Sequence, residues 1–155
     1  MTSTTPSARR RARELVLQGL YQRQLSSNAD PMIEQQLLDP EEDARVDRDY
    51  LVELWRGVSS SYDGLVEMFA PYSSRAPHEL SPIERSIVAI GAWELANRID
   101  IPYKVVINEA VDLAKVYGGT DGHRFVNGVL DKLAQRVRAP EIAAAARERD
   151  GAPRE

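Results

Sequence analysis

Four arginines crowd the first thirteen residues: Arg9, Arg10, Arg11 and Arg13, with no acid among them. Such a cluster can grip a polyanion even though the whole chain carries a net charge of −4, because screening makes the local field count for more than the total. A solvated helix end is the other reading of the same residues. The opposite sign follows closely, since residues 30–50 hold eight acids against two arginines. The remaining reactive side chains exclude more than they suggest. There is no cysteine, which rules out a disulfide scaffold, cysteine-ligated zinc and thiolate catalysis. His78 and His123 sit in neither an H-x-x-x-H nor an H-E-x-x-H frame, so zinc chemistry has no support. No G-x-S-x-G and no Walker loop occurs. Gly118-Gly119-Thr120-Asp121-Gly122 looks like a phosphate cradle, but no lysine follows the glycines and no strand precedes them. A helix end followed by a turn explains it better. The acidic stretch from Asp39 to Asp43 lacks the glycine and ligand spacing of a calcium loop. Neither an enzyme nor a cofactor nor a metal is expected.

The elements that must hold the arginines are helical. The 155 residues suffice for one domain, and 43% apolar with 28% charged residues is ordinary for a soluble protein. No apolar run approaches the roughly 20 residues of a membrane span, and no signal-peptide pattern opens the chain. A cytoplasmic protein with no membrane partner is expected. Apolar/polar alternation never persists, whereas helical spacing recurs. A first helix is expected after Ser7 as N-cap, running to about Leu25, with Ala12, Leu15, Val16, Gly19 and Leu20 as its core stripe. At 100° per residue all four arginines fall outside that stripe. Leu17 and Tyr21 form a second apolar pair on the side where Arg10 projects. Asp30-Pro31 opens a short second helix. A longer helix from about Asp47 is predicted to bend at Gly57 and Ser59 to Ser61 before stopping near Pro71. Ser81-Pro82-Ile83-Glu84 is a capping box, and the helix after it is apolar all round, which predicts a central buried element. Two more helices follow, Val106 to Tyr117 and roughly Gly122 to Val137. Pro140 is read as their end. The chain thus divides into a flexible arm over residues 1–7, one helical domain over 8–138 and a frayed tail over 139–155.

Three segments resemble the NusB family. They are Ala8-Arg9-Arg10-Arg11-Ala12-Arg13-Glu14 with Gln18 and Leu20-Tyr21; Ile83-Glu84-Arg85 through Trp93-Glu94-Leu95; and Pro102 to Ala110 continuing to Leu113-Ala114-Lys115 and Phe125-Val126-Asn127-Gly128-Val129-Leu130-Asp131. They cover most of residues 8–133, and the INEA and FVNGVLD runs are the specific ones. The resemblance implies an all-α fold of about seven helices, in two small three-helix bundles plus an extra helix. It implies no enzyme activity. It implies a factor that binds single-stranded boxA RNA of nascent ribosomal RNA transcripts together with the ribosomal protein NusE. The pair would help the RNA polymerase antitermination complex read through terminators.

Residue by residue, the resemblance implies RNA contacts at Arg9, Arg10, Arg11 and Arg13, and further ones at Tyr72, Lys115, Tyr117, Asp121 and Phe125. Chemistry suits this: cations track a single strand and flat groups stack its bases. Tyr117 and Phe125 could equally be core, and Asp121 could accept from a base edge or simply cap the last helix. Tyr21 and Glu84 match positions implied to hold NusE, although Glu84 is also the capping-box carboxylate and both roles could coexist. Asn108, Glu109 and Asn127 read as helix-packing residues. Gly19 stands where the family commonly has alanine, which should loosen the first helix by up to ~1 kcal/mol, and Trp93 stands where tyrosine is common. Monomer and homodimer both stay open. Two rival roles are the RNA-binding module of an rRNA methyltransferase-type protein and a helical module that binds protein alone.

Overall fold

The computed structural model describes residues 5–26, 28–39 and 45–151. Most of the acidic stretch between Asp39 and Asp43 and the first four residues of the arm lie outside the described residues. Among the described residues there are eight α-helices and no strand, one helix more than expected: α1 (Pro6–Leu25), α2 (Asp30–Leu37), α3 (Arg48–Ser60), α4 (Tyr62–Phe69), α5 (Pro82–Asn97), α6 (Tyr103–Tyr117), α7 (Gly122–Val137) and α8 (Ala139–Gly151). Two single 3₁₀ turns, Ala70–Tyr72 and Pro77–Glu79, lead into α5.

The differences have local causes. The first helix starts two residues early because Pro6 takes its first position and Thr5 Oγ1 accepts from the Ala8 N–H at 3.2 Å. The helix expected to bend near Ser61 is instead divided there. The Ser60 and Ser61 hydroxyls donate back to the Arg56 and Gly57 carbonyls, and Ser61 leaves helical geometry at φ −122°, ψ 21°. The stretch expected to fray is helical as α8. Pro140 sits in its first turn, where a missing N–H costs nothing, and the alanine run after it favours the helix. None of its residues is fully buried, but Ile142 packs against the core. Arg138, buried between α7 and α8, donates to the Leu95, Arg98 and Ile101 carbonyls and to Glu141, tying both helices to the C-terminal end of α5.

The capping box opens α5 as read: Ser81 Oγ accepts from the Glu84 N–H at 3.1 Å. Eleven consecutive-to-adjacent residues from Glu84 to Leu95 are buried, and α5 contacts α1, α3, α4, α6 and α7. It is the central helix. Two glycines permit close helix approaches, one to α5 and one to α1. A Cβ on Gly57 would lie 2.3 Å from the Trp93 indole, so Gly57 makes room for the tryptophan. A Cβ on Gly19 would lie 2.9 Å from both Leu37 and Trp55. Gly19 therefore does more than loosen α1: it lets α2 and α3 pack on it.

Candidate nucleic-acid interface

The first two turns of α1 distribute their arginines by helical geometry. Arg9 and Arg13 are four residues apart and share a face, and both guanidinium groups lie over the Tyr50 ring of α3, at 4.9 and 5.5 Å from its centroid. Arg9 stays half-buried, with Nε 3.6 Å from Asp47. Arg13 goes deeper. It is 3% exposed, and its fork meets Glu94 of α5, itself 1% exposed, through hydrogen bonds of 2.9–3.1 Å. The Tyr50 hydroxyl donates to the same carboxylate. Burial disfavours the charge on Arg13, but Glu94 more than offsets it and its pKa stands above the ordinary value. Burial, and then the Glu94 charge, raise the pKa of Tyr50 strongly. Arg13 is thus buried and paired, with little surface left for the RNA contact expected of it. The stripe that excluded it was drawn too narrow: Leu17, four residues on, is buried on the same side.

Arg10 and Arg11 take the outer faces. Arg10, with a side chain 51% exposed, spans to α6, where Nε donates to Glu109 at 2.9 Å and Nη2 to Asp112 at 3.2 Å. The Glu109 hydrogen bond is the main reason its pKa is raised. Glu109 thus does the helix-packing work read from the sequence. Arg11 pairs with Glu14 at 3.6 Å. Glu14 also accepts from the Tyr117 hydroxyl at 2.9 Å, a bond that raises the Tyr117 pKa. Tyr117 is exposed at the C-terminal end of α6, and Lys115 is exposed on the same last turn. Arg10, Arg11 and Tyr117 are brought together across α1 and α6 by acids of both helices, whereas Lys115, two residues before Tyr117, lies on another face of α6. Tyr21, exposed two turns further along α1, lines a pocket of about 190 Å³ with Arg11, Glu14, Leu17, Ile83 and Tyr117.

The other predicted residues have separate partners. Tyr72, in the first 3₁₀ turn, accepts a long 3.5 Å hydrogen bond from Arg136 of α7. Phe125, on the first turn of α7, is half-buried against the core. Asp121 precedes α7 with φ +65°; its carbonyl accepts from the Arg124 and Phe125 N–H groups, but its side chain makes no capping hydrogen bond, and its exposed carboxylate lies 3.8 Å from Arg124. Capping by its side chain is therefore excluded. Glu84 is buried, with Oε2 3.7 Å from Arg75. A Cβ on Gly122 would touch its Oε1 at 2.7 Å, so the carboxylate abuts the start of α7. Sequence reading passed over Arg75, whose guanidinium lies 4.5 Å from the Phe125 ring centroid. A lone arginine in a Ser/Pro loop carries no periodic signal. Among the described residues there is no group of three or more His, Asp or Glu placed to hold a metal ion, and no helix long and apolar enough to cross a membrane.

The family model described as the NusB family matches residues 10–135. The chain belongs to the NusB family. It is 50% identical over 141 residues to the transcription antitermination protein NusB of Aromatoleum aromaticum, covering 91% of this chain and 97% of that one. It is 53% identical over 144 residues to the NusB protein of Azoarcus sp. strain BH72, covering 92% and 93%. In structure it is similar to T. maritima NusB, with a TM-score of 0.74 at 28% identity over 86% of this chain and 94% of that one. The NusB-type fold also aligns with a crystal structure of antitermination factors NusB and NusE in complex with double-stranded RNA, with a TM-score of 0.75 at 20% identity over 84% and 98%. At that identity the likeness speaks for the fold alone. All eleven positions read from the sequence as contacts lie in the described residues; nine are exposed or half-buried, and two, Arg13 and Glu84, are buried.

Proposed function

We propose that this NusB-family chain is a non-enzymatic transcription antitermination factor. It binds the boxA element of nascent ribosomal RNA together with NusE and promotes read-through by RNA polymerase. Arg9, Arg10 and Arg11 with Lys115 attract the backbone, and Tyr117, Tyr72 and Phe125 offer faces to bases. Tyr21 and its pocket take the protein partner, because a half-exposed tyrosine gives area and a polar tip at low entropic cost. The observation that carries this reading is the joining of α1 to α6 by Arg10 with Glu109 and Asp112, and by Tyr117 with Glu14, the acid that Arg11 also pairs. We also infer that residues 8–138 act as one domain built on two three-helix bundles. Mutual packing among α1, α2 and α3, and among α5, α6 and α7, supports it.

The test is titration of boxA RNA and a scrambled RNA, each with and without NusE, at several salt concentrations. For a single strand, log affinity falls with log salt at a slope of about −0.7 per neutralised phosphate. Three arginines therefore contribute about −2, and replacing Arg9, Arg10 and Arg11 by alanine should flatten the slope by that amount. Equal binding to the scrambled RNA with and without NusE sinks the proposal. Sedimentation in parallel identifies a homodimer if RNA dissociates it.

A further inference from the structure

Arg75 holds an unusual place. Its loop, between the two 3₁₀ turns, brings the guanidinium over Phe125 at 4.5 Å from the ring centroid, a cation–π distance. On its edge lies the Glu84 carboxylate at 3.7 Å. Glu84 has little freedom: its side chain is 9% exposed, its backbone N–H is fixed by Ser81, and its other oxygen abuts Gly122. The Arg75 side chain nevertheless remains 44% exposed. The guanidinium carbon thus sits over the Phe125 ring, one Nη lies at ion-pair distance from a buried acid, and nearly half of the side chain reaches solvent.

We propose that Arg75 is an RNA-contacting residue whose guanidinium plane, rather than the Phe125 ring beneath it, stacks on a base of single-stranded RNA. Glu84 is its positioning residue. Planar guanidinium stacks on flat π systems as an ammonium does not, and the layering of ring, guanidinium and base uses both of its faces. This gives Glu84 a positioning role that coexists with the partner contact expected of it. The inference rests on the RNA-binding reading above and replaces its direct Phe125 stack with one on Arg75.

The experiment uses the full chain and boxA RNA carrying 2-aminopurine at single positions in turn, with affinity and fluorescence quenching as readouts. Arg75→Lys keeps the charge and removes the plane. It should leave the salt slope unchanged while weakening binding about tenfold, the scale of one lost base stack, and relieve quenching at one position. Arg75→Ala should do the same and also flatten the slope. Glu84→Gln should give an intermediate loss of quenching, with far-ultraviolet circular dichroism confirming the fold. If Arg75→Lys binds and quenches like the wild type, Arg75 is a point charge only and the proposal is overturned. If Arg75→Ala strengthens quenching, Arg75 is a cover over Phe125, which overturns it equally. Absence of any RNA binding by the wild type would instead strike the RNA-binding reading itself, and this inference with it.

Discussion

Replacing Arg13 by alanine separates two roles that its sequence context confuses. In the structure the substitution removes the partner of a carboxylate that is 1% exposed. Glu94 loses three hydrogen bonds of 2.9–3.1 Å and keeps the Tyr50 hydroxyl. Breaking a buried pair from one side costs about 3–5 kcal/mol, because the remaining charge is left uncompensated. That is a large fraction of the roughly 5–15 kcal/mol that holds a domain folded. For a chain of this size it lowers the melting temperature by about 6–20 °C. The loss belongs to the orphaned acid, so Arg13→Met combined with Glu94→Leu should recover most of it. Thermal unfolding followed by circular dichroism reads the stability, and RNA titration at a temperature where each variant is folded reads the site. The folded Arg13→Ala protein should keep the RNA salt slope of the wild type, whereas the Arg9, Arg10 and Arg11 variants flatten it. An Arg13→Ala protein with unchanged stability and a slope about 0.7 shallower would show that Arg13 faces RNA and that the buried pair is wrong.

Other perturbations follow from the same geometry. Glu109→Gln should strengthen RNA binding at low salt, because it removes the carboxylate that occupies the Arg10 fork at 2.9 Å; weaker binding in a salt titration would contradict this. Gly19→Ala should destabilise by up to about 2 kcal/mol in chemical denaturation, because overpacking against Leu37 and Trp55 outweighs a helix-propensity gain of up to about 1 kcal/mol. Gly57→Ala should destabilise more, and substantially less when Trp93 is also changed to phenylalanine; additive effects in that double-mutant cycle would refute the direct contact. A hydrogen bond from Arg98 lowers the Asp100 pKa from 3.8 to about 2. A depressed carboxylate contributes stability that is present above its unfolded pKa and lost as pH falls through the folded one. The loss from Asp100 should therefore run from about pH 4 down to about pH 2, and carbon-detected titration of its carboxyl should show a midpoint near the lower value.

Much of this was legible in the sequence because helices announce themselves by period and punctuation. Ser81-Pro82-Ile83-Glu84 fixed the start of α5, and its all-round apolar composition identified the central helix. Glycines misled where their cause is tertiary. Gly19 reads locally as a weak point in α1, and only the approach of Leu37 and Trp55 shows what it permits. Charges misled for the same reason. A helical wheel places Arg13 beside the core stripe, but whether an arginine there faces solvent depends on what stands opposite. Here Glu94, 81 residues away in the chain, completes a buried pair with it.

The same dependence explains why the two candidate surfaces were only half visible. Each arginine proposed to face RNA is matched by an acid from a distant segment or the next turn: Arg10 by Glu109 and Asp112, Arg9 by Asp47, Arg75 by Glu84, Arg11 by Glu14. These acids hold the guanidinium groups in place at a cost in free charge. A polyanion must therefore compete with carboxylates at 2.9–3.7 Å, which weakens nonspecific attraction most where contacts are purely electrostatic. Stacking is spared that competition, because an edge-bound guanidinium still presents its plane. An acidic protein with paired arginines is thus better suited to reading bases in a single strand than to coating any nucleic acid it meets.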